Sequence, residues 1–269
     1  MDTDKDPNFV TALGRGLDIL RCFAPERAEL GTTDIARLTG LPQSTVWRLC
    51  YTLGQYGCLV PGSNPDRLRI GPGVLLLGHA AITHTGIAET ALPGMREIAE
   101  TFDASCSLAE RNGDRMVIVQ RAEAHNIVKV DLHVGSTLPI EVSSLGLSLL
   151  AAMPADERLA LMKELRRTPR IDAVKFERNV DQAVADYERL GFIFNLELSH
   201  RDINAVGVPV LAADGRPVMA MTCGGARSRL TKEILVKKVA PALKGLAQML
   251  GPLAIVRPVG AAARRSRAG

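Results

Sequence analysis

The chain has 269 residues, 46% of them apolar and 23% charged, with a formal net charge of +4. That composition suits a soluble globular protein of roughly two domains, and no apolar run reaches the ~18 residues a membrane span requires. The acidic start, Met1-Asp-Thr-Asp-Lys-Asp6, lacks the basic-then-apolar order of a signal peptide, so a cytoplasmic protein with no membrane partner is expected.

Leu13, Leu17, Leu20 and Phe23 recur at helical spacing and predict a helix over 12–23, ended by Pro25. A second helix is expected over 33–39, stopped by Gly40. A third is opened by Pro42 and runs to Gln55. Leu59–Val60 and Leu68–Ile70 flank a Pro/Gly/Asn-rich stretch and predict a β-hairpin. Alternation puts Leu68 and Ile70 on one face and Arg67 and Arg69 on the other. Residues 74–88 read as a connecting helix, and Pro93 opens another to Phe102.

Beyond Ser105 the pattern becomes strand-like over 105–110, 116–121 and 128–133. Helices are predicted over 145–152, 156–165 and 177–190, the last ended by Gly191. Strands follow at 192–194, 203–210 and 218–223, with Asp214-Gly215 as a hairpin turn. A long helix covers 230–250. The arginine-, glycine- and alanine-rich tail beyond Val256 reads as disordered.

The most specific pattern spans Thr32–Leu49. A helix-turn-helix needs a small residue in its first helix, a turn residue that tolerates positive φ, and apolar supports beneath both helices. Ala36, Gly40 and Val46 hold the key places, supported by Ile35, Leu41 and Leu49. On the third helix Val46, Leu49, Cys50 and Leu53 share a buried face. Ser44, Arg48, Tyr51 and Gln55 share the opposite one, which suits entry into a major groove. Arg48 is the best guanine or phosphate contact, and Gln43, Ser44 and Thr45 stand at the helix start where base edges are read. Trp47 either packs against protein or touches the DNA backbone. Arg67 and Arg69 serve as wing contacts to phosphate or as a charged edge that resists aggregation. Residues 8–72 hold seven arginines and no lysine against five acidic residues, a net of +2. DNA binding must therefore come from placed arginines rather than bulk charge.

With these residues in view, the sequence resembles the IclR (isocitrate lyase regulator) family over nearly its whole length. Ala12-Leu-Gly-Arg-Gly-Leu-Asp-Ile-Leu20 looks like the family's first helix, which adds Arg15 to the DNA-contact candidates. Thr33 to Leu49 looks like its helix-turn-helix, and Leu53 to Val60 like the approach to its wing. In the second half, Gly135-Ser-Thr-Leu-Pro-Ile140 and Leu145-Gly146 are similar to the loop and helix start beside the family's effector pocket. Leu190–Phe192, Val206–Val210, Asp214-Gly215 and Val218–Gly225 match later blocks.

The resemblance implies an α/β (α+β) chain. Its parts are a tail (1–7), a winged helix-turn-helix (8–72), a linker helix (73–88), a GAF-like effector domain with an antiparallel sheet (89–256) and a basic tail (257–269). It implies double-stranded operator DNA, a small organic-acid or aromatic effector, and a homodimer or dimer of dimers as partners, with no cofactor. The implied effector residues are Gly135, Leu138, Ser143, Ser144, Leu145, Gly146, Asn195, Ala205, Thr222 and Gly224. Asn195 stands where many members carry Asp, Ala205 where many carry Cys or Ser, and Gly224 where a hydroxyl is common. This favours a larger or partly apolar acid. Independently of the family, Ser143 and Ser144 precede an apolar helix, so either caps it or helps its N-terminus receive a carboxylate.

An enzyme is the competing class. His79, His84, His125, His133 and His200 and the five cysteines, Cys22, Cys50, Cys58, Cys106 and Cys223, are scattered. They form no C-x-x-C pair or H-E-x-x-H, and no nucleophile elbow, P-loop or dinucleotide fingerprint is present. Neither catalysis nor a metal site is expected. A winged helix used only for protein contact is the third reading.

Overall fold

A computed structural model describes residues 7–83, 86–125, 131–196 and 202–253. The chain divides into two units, Met1–Ala81 and Ile82–Gly269. In the first, α1 (Thr11–Arg21), β1 (Glu29–Leu30), α2 (Thr32–Thr39), α3 (Gln43–Gln55), β2 (Leu59–Pro61) and β3 (Leu68–Ile70) follow in order. The three strands form an antiparallel sheet in the order β1-β3-β2. Ile19, Leu30, Ile35, Val46, Cys50 and Leu59 make the core, which ties α1, α2 and α3 to the sheet. Gly40 ends α2 at φ 69, a left-handed conformation that a residue with a Cβ adopts only at a cost. The expected helices and hairpin are present. The two-residue β1 was not foreseen, since two residues carry no readable alternation.

Helix α4 (Gly73–Thr83) follows the wing, and α5 (Ile87–Phe102) begins after Gly86, whose φ is 64. The expected helix start at Pro93 is corrected: Pro93 lies inside α5. Ile87, Ala88, Ala91, Met95, Ile98 and Ala99 form one buried stripe, and their burial outweighs the hydrogen bond that proline removes.

The second unit is built on an antiparallel sheet of six strands. These are β4 (Ser105–Asn112), β5 (Arg115–Glu123), β6 (Thr137–Pro139), β7 (Ile193–Leu196), β8 (Ile203–Leu211) and β9 (Pro217–Ala226), in the spatial order β6-β5-β4-β9-β8-β7. Helices α6 (Ser144–Ala152), α7 (Ala155–Leu165) and α8 (Ala173–Leu190) cover one face. Helix α5 covers the other with a helical run of α9 (Lys232–Ile234), a π turn (Leu235–Val239) and α10 (Ala240–Leu250). Alternation along the strands sorts the faces. Cys106, Leu108, Val206, Val208, Met221 and Cys223 meet α5 and α10, while Ala109, Met116, Ile193 and Ala220 meet α6 and α8.

The helix expected over 230–250 starts at Lys232, where Thr231 Oγ1 accepts the Ile234 N–H. Of the strand expected over 128–133, residues 128–130 lie outside the described set and Asp131–His133 are not in a strand. The tail beyond Leu253, residues 1–6, His84 and His200 also lie outside it.

Candidate nucleic-acid interface and effector cleft

The apolar face of α3 is spent on the core through Val46 and Cys50, which leaves Gln43, Ser44, Trp47, Arg48 and Tyr51 exposed. Thr45 is half-buried. Gln43 Nε2 donates to Thr33 Oγ1 at 3.2 Å, linking the starts of α3 and α2. Trp47 and Tyr51, each 59% exposed, stack one helical turn apart with ring centroids 5.7 Å apart. Arg15 is exposed on α1 and shares with Arg48 a groove between α1 and α3. The first unit thus presents guanidinium, amide, hydroxyl and aromatic groups on one helix face.

The wing is held by acidic side chains. Glu29 accepts the Ser63 N–H at 3.0 Å and the Ser63 hydroxyl at 2.6 Å, and those bonds hold its carboxyl below the usual range. Arg69 is exposed on β3. Arg67 is placed differently: its guanidinium meets Asp34 of α2 at 2.7 Å. Asp34 also accepts the Gly31 N–H and lies 3.6 Å from Arg37. The Gly31 bond first, then the two arginines, keep its carboxyl below its ordinary value. Asp34 was not singled out in the sequence, where it stands 33 residues from Arg67.

In the second unit, cross-strand register brings residues of distant segments together on one face of the sheet. Glu123, Ser105, Gly224, Ala205 and Asn195 lie opposite one another across β5, β4, β9, β8 and β7. The adjacent row on the same face is Arg121, Ser107, Thr222, Gly207 and Ile193. Helix α6 sits on this second row. A Cβ on Gly207 would fall 2.5 Å from the Ser144 carbonyl oxygen, so only glycine allows the approach. The first row carries small residues at its centre. A Cβ on Gly224 would lie 3.0 Å from that of Ala205.

The start of α6 is fixed by hydroxyls. Ser143 Oγ accepts the Gly146 N–H at 3.1 Å, so Ser143 is the cap. Thr222 donates its hydroxyl hydrogen to the Val206 carbonyl at 3.0 Å. Ser144 Oγ, 2.8 Å from Thr222 Oγ1, is therefore the donor of that pair. Asn195 Nδ2 donates to the Val142 carbonyl at 2.9 Å. The structure thus joins Ser143, Ser144, Asn195, Ala205, Thr222 and Gly224 at one place. Leu145 is wholly buried in the core. Gly146 packs on Ile140. Leu138 lies on β6 opposite Met116, five residues along β5 from Arg121, about 17 Å at strand spacing. Gly135 donates to the Ile118 carbonyl. Neither Gly135 nor Leu138 joins the cluster.

Sequence reasoning missed Arg121, Ser107 and Glu123. Arg121, with a side chain only 8% exposed, donates to Ser107 Oγ at 2.7 Å and pairs with Glu123 at 2.6 Å. The period-two alternation of β5 with buried Ala122 was the available signal. Elsewhere Cys106 and Cys223 face each other, buried, across β4 and β9. The hydrogen bond between them and burial push the Cys106 thiol up, and burial pushes Cys50 up to about 11. Protonated thiols are poor nucleophiles. Among the described residues no cluster of His, Cys, Asp and Glu could hold a metal ion.

Comparison with known proteins agrees with both halves. The IclR helix-turn-helix domain matches residues 12–61, and the bacterial transcriptional regulator IclR C-terminal domain matches residues 79–251. The HTH-type transcriptional regulator TsaQ1/TsaQ2 of Comamonas testosteroni is 27% identical over 242 residues, 89% of this chain and 87% of that protein. The crystal structure of an IclR family transcriptional regulator from Brucella abortus is 33% identical, covers 93% of this chain and 94% of its own, and superposes with a TM-score of 0.78. An IclR homologue from Microbacterium hydrocarbonoxydans, complexed with 4-hydroxybenzoate, shares the fold at 21% identity and a TM-score of 0.73, over 90% of this chain and 98% of its own.

Proposed function

Since the chain belongs to the IclR family of bacterial transcriptional regulators, we propose that it reads double-stranded operator DNA with the exposed face of α3 and answers to a small carboxylic acid bound at the start of α6. The observation that carries the first half is the exposure of Gln43, Ser44, Arg48 and Tyr51 on a helix whose other face is buried. In a helix-turn-helix that helix enters the major groove, where Arg48 reaches guanine or phosphate. Arg15 and Arg69 contact the backbone, and Thr45 supports the helix start.

The second half is supported by the small-residue row that ends at Asn195, beside the row in which Thr222 meets Ser144 of α6. A homologue of the same fold holds 4-hydroxybenzoate, which favours an aromatic acid. The protein acts in the cytoplasm as a homodimer or a dimer of dimers. Leu13 and Leu17 of α1 and Leu75, Leu76 and Leu77 of α4 are exposed and suit burial against a second copy. Effector binding shifts the population of dimer arrangements and so the spacing of the two recognition helices.

The test is a thermal-shift screen of the full chain against carboxylic acids, followed by fluorescence anisotropy on DNA selected from genomic fragments. An acid that raises the melting temperature and changes operator affinity supports the reading. An acid that stabilises the protein and leaves operator affinity unchanged overturns the coupling. Unaltered DNA binding by Arg48→Ala together with Arg69→Ala overturns the DNA-reading face.

A further inference from the structure

We propose that Arg121 is the group that receives the effector's carboxylate and that Glu123 is a built-in competitor which the effector displaces; this rests on the acid-effector reading above. Four observations lead there. Arg121 is a nearly buried cation on the sheet face that carries the small-residue floor, one row from Gly224 and Ala205. It is joined to the start of α6 by a lateral chain of polar groups. Arg121 donates to Ser107, Ser107 lies opposite Thr222, and Thr222 accepts from Ser144. Its counter-charge comes from Glu123, two residues along the same strand, whose side chain is 33% exposed against 8% for Arg121. Glu123 is also the last residue of β5.

A guanidinium favours bidentate pairing with a carboxylate. Here one carboxylate already occupies it, from a residue whose own side chain reaches water. An incoming acid need not add a charge to a neutral buried pair, which would be costly. It replaces Glu123, and the Glu123 carboxylate returns to solvent, where it is well hydrated. The Ser107 hydroxyl accepts from Arg121 and has a hydrogen of its own to give the acid. The Ser144 hydroxyl has spent its hydrogen on Thr222 and offers lone pairs, so it suits a donor elsewhere on the ligand. The exchange also unties the Glu123 side chain from Arg121, so effector binding alters the end of β5.

Calorimetric titration of the full chain with benzoate, 4-hydroxybenzoate and pyruvate, each against its neutral amide, tests this. The acids are expected to bind about tenfold or more tighter than their amides, the size of one charge-assisted contact. Arg121→Gln is expected to erase that preference, weakening the acids more than their amides. Glu123→Gln, nearly the same in shape but uncharged, tightens acid binding by about tenfold. If Arg121→Gln fails to fold, Glu123→Gln decides alone: acid affinity that is unchanged or weakened refutes the competition and with it the proposal. If Arg121→Gln folds and keeps the acid preference, the proposal falls while the acid-effector reading stands. If the unmodified protein binds no acid at millimolar concentration, both fall.

Discussion

Two glycine-to-alanine changes within helices of the second unit should move stability in opposite directions. Gly245 is exposed on α10, and a Cβ there meets nothing within 4 Å. Gly245→Ala should gain the helix-propensity difference, about 0.8–1.0 kcal/mol. Gly146, in the first turn of α6, packs on the loop before it. A Cβ there would fall 2.5 Å from Ile140 Cα and closer still to the Ile140 carbonyl oxygen. Ordinary contact begins at 3.4 Å, so roughly 0.9 Å of overlap with backbone must be relieved. No rotamer change relieves it, which places Gly146→Ala near the upper end of the about 1–3 kcal/mol typical of overpacking. After the propensity gain, about 2 kcal/mol is lost. At about 2–4 °C per kcal/mol for a unit of this size, differential scanning calorimetry should show a fall of about 4–8 °C for Gly146→Ala and a rise of about 2–4 °C for Gly245→Ala. Equal shifts of the same sign would refute the packing argument. A fall without loss of acid binding would show that the α6 start tolerates displacement.

Ser143→Ala removes the cap of α6 and should lower stability by about 0.5–2 kcal/mol, measured by urea unfolding. Arg48→Ala should cost about 1–3 kcal/mol of operator affinity and relax preference at one base position, read by competition binding on single-base variants. Asp34→Asn should free Arg67; if the wing takes a phosphate, the salt dependence of DNA binding steepens by about 0.9 per contact, and an unchanged slope would assign Arg67 to the fold alone. Burial raises Asp114, but the bond and charge of Arg170 outweigh it and hold the carboxyl below its ordinary value. A depressed carboxylate contributes stability above its unfolded pKa and loses it as pH falls through the folded one. The stability difference between the unmodified protein and Asp114→Asn should therefore be full at neutral pH and vanish in acid.

The helix-turn-helix was legible because its requirements are local. Small residue, turn glycine and apolar supports sit at fixed spacing within Thr32–Leu49, and α2, Gly40 and α3 appear there. The β8–β9 hairpin was legible for the same reason, through Asp214-Gly215, where Gly215 has φ 82. Local reading failed where a partner decides. Alternation placed Arg67 away from the Leu68 face but could not supply Asp34, the partner its guanidinium meets. Pro93 reads as a helix start until the buried stripe from Ile87 is seen. The polar cluster at the start of α6 was half legible. Resemblance pointed to Ser144, Asn195, Ala205, Thr222 and Gly224, yet Ser107 and Arg121 join them only through register between segments more than a hundred residues apart.

Strand β9 pairs with β4 on one side and β8 on the other, although it follows every other described strand in the chain. Until residues 217–226 arrive, the β4–β5 hairpin has an open edge whose inward face includes Cys106 and Leu108. Contacts of such sequence separation close slowly, and an unpaired apolar edge invites pairing with other chains. The nascent protein is thus most exposed to aggregation in the interval before β9 is made. Truncations within β9 should yield insoluble chains rather than a weakened regulator.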